Sequence, residues 1–152
     1  MYKYFVKRNL LKSFKVINEG NYEFVTKQFR DHDVSHWFSG ENHPLAGKRT
    51  TKESIILWYE RLARLMPDLN FVIEKISISG CPSKTVAMLE WSDTLSDPSG
   101  KKYSNRGVHV ITISWGKVTS LEVFCDTKYL LGYFEALKEL GVDEASSDPI
   151  ED

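Results

Sequence analysis

The stretch Gly107–Asp126, GVHVITISWGKVTSLEVFCD, decides the fold. Two runs rich in Val, Ile and Thr flank a short Gly-containing connection, which is the pattern of a β-hairpin. We predict a three-residue loop, Ser114–Gly116, whose glycine supplies the positive φ of a bulge. His109 lies inside the first predicted strand and Asp126 closes the second. We therefore expect any chemistry of this protein near these two residues.

Composition limits the classes of protein that fit. The chain has 152 residues, enough for one domain that buries about two-thirds of its unfolded surface. Its formal net charge of −1 argues against a nucleic-acid partner, and no apolar run is long enough to cross a membrane. The first residues are too charged for a signal peptide, and Cys81 and Cys125 are too few for a disulfide framework. We expect a cytoplasmic protein with no cofactor and no membrane partner.

The first third of the chain is predicted to be mainly helical. Apolar residues recur at three- and four-residue steps between Val6 and Ile17, and Gly20 follows as a helix terminator. A short second helix comes next. Val34–Phe38 then has the composition of a short strand, and Ser39–Lys48 that of a loop with Pro and Gly.

A third helix and a series of strands follow. Thr50 and Glu53 have the spacing of a capping box, and an apolar stripe continues from there to Pro67. Three further strand-like stretches precede the return strand of the hairpin, and a last amphipathic helix ends near Gly141. The remaining residues have little to bury. We predict one domain over residues 1–142 and a flexible tail over residues 143–152. The further strands are Phe71–Ser79, Thr85–Leu95 and Tyr103–Trp115.

This order of elements indicates an α+β fold. Consecutive strands on short turns pair antiparallel, and the helices pack on one face of the sheet. A curved sheet covered in this way encloses a pocket between its concave face and the helices. We find no internal repeat and no second domain.

Several short motifs, in this order and spacing, resemble the nuclear transport factor 2-like superfamily and, within it, the SnoaL-like polyketide cyclase branch. The resemblance covers residues 3–141. It implies a cone-shaped, cystatin-like α+β barrel whose curved antiparallel sheet wraps around the N-terminal helices and an apolar pocket. It also implies a homodimer formed through the sheet. The motifs are His36–Phe38, Pro44–Gly47, Pro67–Leu69, Gly116–Val118 and Asp126–Thr127.

The catalytic residues of the related cyclases are only partly present. His109 falls on their histidine in the next-to-last strand, but their catalytic aspartate falls on Val123. Limonene epoxide hydrolases use an aspartate at the same place, and their Arg and Asp pair is expected on the strand of Glu90 and Ser92, where it is missing. A valine cannot take a proton from carbon. The resemblance thus supplies a pocket without the acids of these enzymes.

The ketosteroid isomerases give the same result. Their Tyr and two acids fall on Ser13, Trp37 and Val108. Trp37 in the place of a catalytic acid indicates a more apolar pocket mouth. The histidines His32, His36 and His43 are irregularly spaced over a strand and a loop, so we expect no metal site.

The remaining polar residues have two interpretations each. His109 is either a pocket acid, base or hydrogen-bond donor, or a half-buried strand histidine. Asp126 is either catalytic or the N-cap of the last helix, and the cap is favoured. Glu90 is either a pocket residue or faces solvent. Asp93 and Arg106, near strand ends, are possible partners across the sheet, and a surface pair is the default interpretation. Further pocket candidates are Trp37, Phe38, Trp58, Tyr59 and Val123, with core packing as the alternative for Trp58 and Tyr59.

Two functions from different classes follow. The first is a SnoaL-like protein that binds a small apolar ligand without the acids of the known enzymes. The second is a cofactor-independent cyclase, isomerase or hydratase acting on a small apolar carbonyl compound. In that enzyme His109 would transfer the proton, and Asp126 or Glu90 would orient it.

Overall fold

A computed structural model describes all 152 residues. The helices are α1 (Tyr2–Asn18), α2 (Tyr22–Lys27), α3 (Lys52–Leu65) and α4 (Thr127–Glu139). The strands are β1 (Ser35–Phe38), β2 (Gly47–Arg49), β3 (Asn70–Cys81), β4 (Lys84–Ser96), β5 (Lys102–Ser114) and β6 (Lys117–Cys125). A short 3-10 helix, Asp143–Ser146, follows α4. None of the helices is both long and apolar enough to cross a membrane.

The six strands form one curved, unclosed sheet in the order β2-β1-β6-β5-β4-β3. Strands β3 to β6 form the predicted antiparallel meander. The sheet is mixed, however, because β1 runs parallel to β6 and only then pairs antiparallel with β2. Strand β2, which lies at the end of the predicted loop, was not expected. The α+β fold with helices on the concave face is as predicted.

The central hairpin is tighter than predicted. Ser114 pairs with Lys117, so only Trp115 and Gly116 form the turn, with φ of 49° and 82°. Positive φ at both central residues is the type I′ turn that suits the twist of paired strands. The extra residue of the bulge is Thr119, farther along β6. The hairpin therefore keeps its bulge but has it within the strand rather than in the loop.

Helices α3 and α4 both begin at side-chain caps. Thr51, one residue after the predicted cap, accepts a hydrogen bond from the Ser54 backbone N–H and begins α3. Asp126 accepts one from the Tyr129 backbone N–H at 3.1 Å and begins α4. The predicted apolar stripe of α3 is buried against the sheet. Asp126 is thus engaged in the structural role that the sequence favoured.

The segment predicted to be a flexible tail contacts α3. Both Nε and Nη2 of Arg64 donate to the Glu144 carboxylate at 2.8 Å, and the Asp152 carboxylate accepts from the Ser54 hydroxyl at 2.8 Å. Ala145 is fully buried. The partners of this segment lie far away in sequence, so its own composition did not reveal them. Its mobility stays a prediction.

Candidate functional site

His109 lies at the centre of the concave face. On β5 it pairs with Leu89 of β4 and Val123 of β6, and its side chain is almost fully buried. The ring meets Phe14 and Phe71 edge-on, with centroids 5.1 and 6.0 Å away. Burial in these apolar surroundings lowers the pKa of His109 to about 3. The imidazole is therefore neutral at physiological pH.

A hydrogen bond fixes the tautomer of His109. The indole N–H of Trp91 donates to Nδ1 of His109 at 2.7 Å. Because an indole nitrogen can only donate, Nδ1 carries the lone pair and the proton of the neutral ring lies on Nε2. Nε2 has no hydrogen-bond partner among the protein groups and is not completely buried. His109 thus presents a hydrogen-bond donor rather than a free basic nitrogen.

Gly107 makes room for this arrangement. It pairs with Trp91 across the β4–β5 ladder, and any Cβ at position 107 would overlap the Trp91 ring and the Phe124 carbonyl oxygen. The Trp91 ring also meets Phe71 edge-on at 4.8 Å. A glycine inside a strand marks such a close approach. The hydrogen bond to His109 therefore depends on a residue two positions earlier in the same strand.

The space beside His109 is small. A cavity of about 50 Å³ lies between the sheet and the helices, and a second one of about 40 Å³ lies under α1. His109, Ile17 and Tyr59 line both cavities. Ligand sites for drug-sized molecules are typically several hundred Å³. The interior pocket that the resemblance implies is thus largely filled by aromatic side chains, and a ligand of more than a few atoms requires them or α1 to move.

One carboxylate lines the larger cavity, and it is Asp93. It lies on β4 opposite Asn105, whose backbone N–H donates to it at 2.9 Å. Burial is the main cause that raises the pKa of Asp93 to about 6. Nearby, burial raises the pKa of the Cys125 thiol to about 11. A carboxyl group with a pKa close to neutrality is a candidate acid or base.

From the sequence, Asp93 is predicted only as a possible strand-end partner in a surface pair. The signal that identifies it is the two-residue period of β4, because Leu89, Trp91 and Asp93 all face inward. Glu90 has the opposite parity. Its carboxylate accepts from Arg106 at 2.8 Å on the outer face and lies outside the cavity.

Four of the predicted ligand-binding residues lie in the cavity wall, and they are Phe38, Trp58, Tyr59 and Val123. Trp37 does not. It points to the outer face, where its ring packs against Phe124 with centroids 5.0 Å apart. The ungapped match placed Trp37 at the mouth, but the alternation of β1 directs His36 and Phe38 inward instead.

His36 is the second histidine of the cavity wall. It is fully buried, its ring centroid is 4.4 Å from that of Trp58, and neither ring nitrogen has a hydrogen-bond partner. Burial, followed by the nearby charge of Arg49, lowers the pKa of His36 well below its usual value. The fully buried Arg49 has no carboxylate partner, and burial lowers its pKa to about 10.

The three clustered histidines of the sequence do not converge. His36 faces the cavity, and His43 hydrogen-bonds the Ser39 backbone oxygen at 2.8 Å while stacking on Phe134. His32 is exposed. No group of three or more His, Cys, Asp or Glu side chains is arranged to hold a metal ion.

The curved, unclosed sheet with helices on its concave face matches the cone fold of the nuclear transport factor 2-like proteins. The sequence profile of the SnoaL-like domain matches residues 10–121. The chain therefore belongs to the SnoaL-like family. No curated protein matches it.

Solved structures share the fold at low sequence identity. A nuclear transport factor 2-like protein of unknown function from Burkholderia pseudomallei superposes with a TM-score of 0.73 at 13% identity, over 84% of this chain and 95% of that one. PrhC from Penicillium brasilianum gives 0.74 at 11% identity, over 91% of each chain. A putative SnoaL-like polyketide cyclase from Jannaschia sp. gives 0.61 at 16% identity, over 93% of this chain and 92% of that one. These similarities concern the fold.

Proposed function

We propose that this protein binds a small, largely apolar molecule that carries a carbonyl-type oxygen, between the helices and the concave face of the sheet. The observation that carries the proposal is the fixed tautomer of His109. Trp91 holds the ring so that Nε2–H is a donor without a protein partner in apolar surroundings. A donor that lines a largely apolar cavity favours a ligand whose acceptor can pair with it.

The ligand has to be apolar elsewhere. Most of the residues around the larger cavity are hydrophobic, and five of these carry aromatic rings. The present volume of about 50 Å³ means that binding displaces side chains or shifts α1. We expect compact cyclic ketones or related carbonyl compounds to fit first.

A titration with a panel of cyclic ketones tests this proposal. Binding is followed by the fluorescence of the tryptophans, because the indole of Trp91 is hydrogen-bonded to His109 and should respond to a ligand there. The variant His109→Leu should lose at least tenfold in affinity, whereas His109→Gln, which keeps an N–H donor, should lose less. His32→Leu, at an exposed histidine, is the control. Equal affinity of His109→Leu and the original protein for every bound ketone would contradict the proposal.

A second candidate function is proton transfer on such a carbonyl compound, and Asp93 favours it. Its carboxylate can take a proton from the carbon next to the carbonyl group. The electron pair of that C–H bond then forms the C=C bond of an enolate, and the π pair of the carbonyl group moves to its oxygen. His109 Nε2–H then stabilises the oxygen, and Asp93 returns the proton to a carbon. The base is thus Asp93, with His109 as donor, instead of the His109 base with Asp126 or Glu90 that the sequence suggested.

Hydrogen–deuterium exchange separates the two functions. An enzyme of this type exchanges the α-protons of a bound ketone with D₂O, and the rate rises with pH through about 6 as Asp93 loses its proton. Asp93→Asn should abolish the exchange and retain ketone binding. Exchange that persists in Asp93→Asn would exclude Asp93 as the base. If the original protein binds ketones without any exchange, ligand binding alone is its function.

We also propose that two copies associate through the outer face of the sheet, as the resemblance implies. Phe124 and Met88 on this face are 44% and 49% exposed, and Trp37 packs beside Phe124. Such an apolar patch is typical of an interface. Light scattering after size exclusion should give a dimer for the original protein and a monomer for Phe124→Arg. A monomeric original protein at micromolar concentration would contradict this proposal.

A further inference from the structure

Helix α1 carries charges of one sign only. Between Tyr2 and Asn18 it has five basic residues and no acidic one, although the whole chain has a net charge of −1. All five are exposed, and none forms an ion pair. The positive charge of this helix is therefore not neutralised within the protein. The residues are Lys3, Lys7, Arg8, Lys12 and Lys15.

Large apolar side chains alternate with these cations. Tyr4 and Phe5 are 65% and 55% exposed, Leu11 is 39% exposed, and Met1 is almost completely exposed. Exposed aromatic rings beside Lys and Arg are typical of helices that lie in the headgroup region of a membrane. In aqueous solution, these aromatic rings have no headgroup region to lie in.

The tip of the central hairpin lies at the same end of the molecule. The Tyr2 hydroxyl hydrogen-bonds the Thr85 hydroxyl at 2.5 Å, which places the start of α1 beside the β3–β4 turn. The Trp115 backbone N–H donates to the Pro82 carbonyl oxygen at 2.7 Å, which places the hairpin tip beside the same turn. Trp115 itself is 76% exposed.

The two turns, with the strand ends beside them, carry charge of the same sign as α1. The β3–β4 turn and its flanks (residues 79–89) contain Lys84 and no acid, and the hairpin tip and its flanks (residues 107–121) contain Lys117 and no acid. We call α1 and these two turns the basic end. It combines seven basic residues with three exposed aromatic side chains, Tyr4, Phe5 and Trp115.

We propose that the basic end binds the surface of an anionic lipid membrane. Lys and Arg near an anionic surface are attracted to it, and Trp, Tyr and Phe insert at the level of the headgroups. The proposal departs from the expectation of no membrane partner, which depended on the lack of a long apolar run. A surface contact needs no spanning segment. A nucleic acid would use the same cations but would leave Met1 and Leu11 exposed, and we therefore favour the lipid surface.

A groove at the basic end lies next to the interior. It has a volume of about 500 Å³ and lies between α1 and the hairpin, with Phe5 in its wall. Four residues line both this groove and the inner cavity that reaches His109, and they are Leu10, Ser13, Gln28 and Val118. If the proposed ligand binding holds, a shift of α1 would join the groove to the cavity and let an apolar ligand pass from the bilayer to His109.

Vesicle sedimentation tests the lipid contact without any ligand. The probes are vesicles of phosphatidylcholine alone and of phosphatidylcholine with about one-third phosphatidylserine, at low and at physiological salt. We expect binding only to the anionic vesicles, weakened by salt. The double variant Lys7→Glu/Arg8→Glu should bind them at least roughly 20-fold more weakly. Lys101→Glu/Lys128→Glu changes the net charge equally at exposed sites outside the basic end and should bind normally.

The aromatic contribution is tested separately. Trp115→Asn keeps a residue that accepts the positive φ of 49° and removes the indole. We expect it to reduce vesicle binding severalfold, whereas Leu140→Asn, at a 45% exposed residue beyond α4, should have no effect. Circular dichroism of each variant shows whether it is folded.

Three results would overturn the proposal. These are no binding to anionic vesicles at low salt, an equal loss in both double charge variants, or tight binding of a fluorescent RNA that replaces vesicle binding. Ketone binding by the single variant Lys7→Glu, at a residue that does not line the groove, should be unchanged in vesicle-free solution. A failed lipid contact is thus distinguishable from a failed ligand site, which His109→Leu reports.

Discussion

The His36 ring is buried among aromatic side chains without a single hydrogen bond. In the folded state burial lowers its pKa, whereas in the unfolded chain it titrates near 6.5. The unfolded chain therefore binds more protons below that pH, and the protein loses stability as the pH falls through 6.5. A buried polar group without a partner is also costly at neutral pH.

We predict that His36→Phe stabilises the protein. Phenylalanine fills the same aromatic site without the two unpaired nitrogens, and the gain should be about 1–3 kcal/mol at pH 7 and larger at pH 5. Urea unfolding at both pH values measures it, with the exposed His32→Phe as control. A gain that does not grow on acidification would show that His36 is not a buried neutral histidine.

The effect of Asp93 on stability has the opposite pH dependence to that of His36. Burial raises its folded pKa to about 6 from the usual 3.8, so the folded protein binds more protons between these values. The stabilising contribution is complete below pH 3.8 and is lost as the pH rises through 6.

We therefore predict that Asp93→Asn is more stable than the original protein at pH 8, by up to about 3 kcal/mol, and about equally stable at pH 4. Its side-chain oxygen can still accept the bond from the Asn105 N–H. Chemical unfolding at the two pH values gives the difference. The exposed Asp143→Asn should show no such dependence on pH. If Asp93→Asn shows none either, Asp93 is in contact with water and the prediction is wrong.

At the level of elements, strand β5 holds the site through Gly107. The Trp91 ring occupies the space that a side chain at position 107 would need. We predict that Gly107→Ala costs several kcal/mol of stability and breaks the Trp91–His109 hydrogen bond, because steric overlap with backbone cannot relax cheaply. Thermal unfolding and the ¹⁵N chemical shifts of His109 report the two effects. Gly132→Ala, where a Cβ meets nothing within 4 Å in α4, should instead stabilise slightly.

The sequence predicted the elements better than the faces of the strands. Turn residues and apolar periods locate the meander, and the capping preference of Asp identifies Asp126 as an N-cap. The inward direction of His36 and Asp93, rather than Trp37 and Glu90, depends on pairing between distant strands. A one-residue difference in parity moves a side chain to the other face. The local pattern around Trp37 has no feature that fixes this parity.

On the scale of the whole molecule, the C-terminal segment links the β2–α3 turn with α3. Asp152 accepts hydrogen bonds from the Thr50 N–H and the Ser54 hydroxyl, while Glu144 bonds to Arg64. Pairs at exposed side chains contribute little individually, and Arg64 is more than half exposed. The burial of Ala145 and the closing of α3 against the loop before it should contribute more.

We predict that deletion of residues 143–152 lowers the stability by about 1–3 kcal/mol and leaves the sheet intact. Calorimetry gives the change in melting temperature, and Glu144→Gln, which removes only the ion pair, should account for a minor part of it.

The loop before α3 includes Leu45, which is fully buried against Trp58 and lines the cavity. Ketone affinity should therefore also fall in the shortened protein. An unchanged melting temperature would mean that the segment is mobile in solution, as its composition indicates, and that the cavity wall is stable without it.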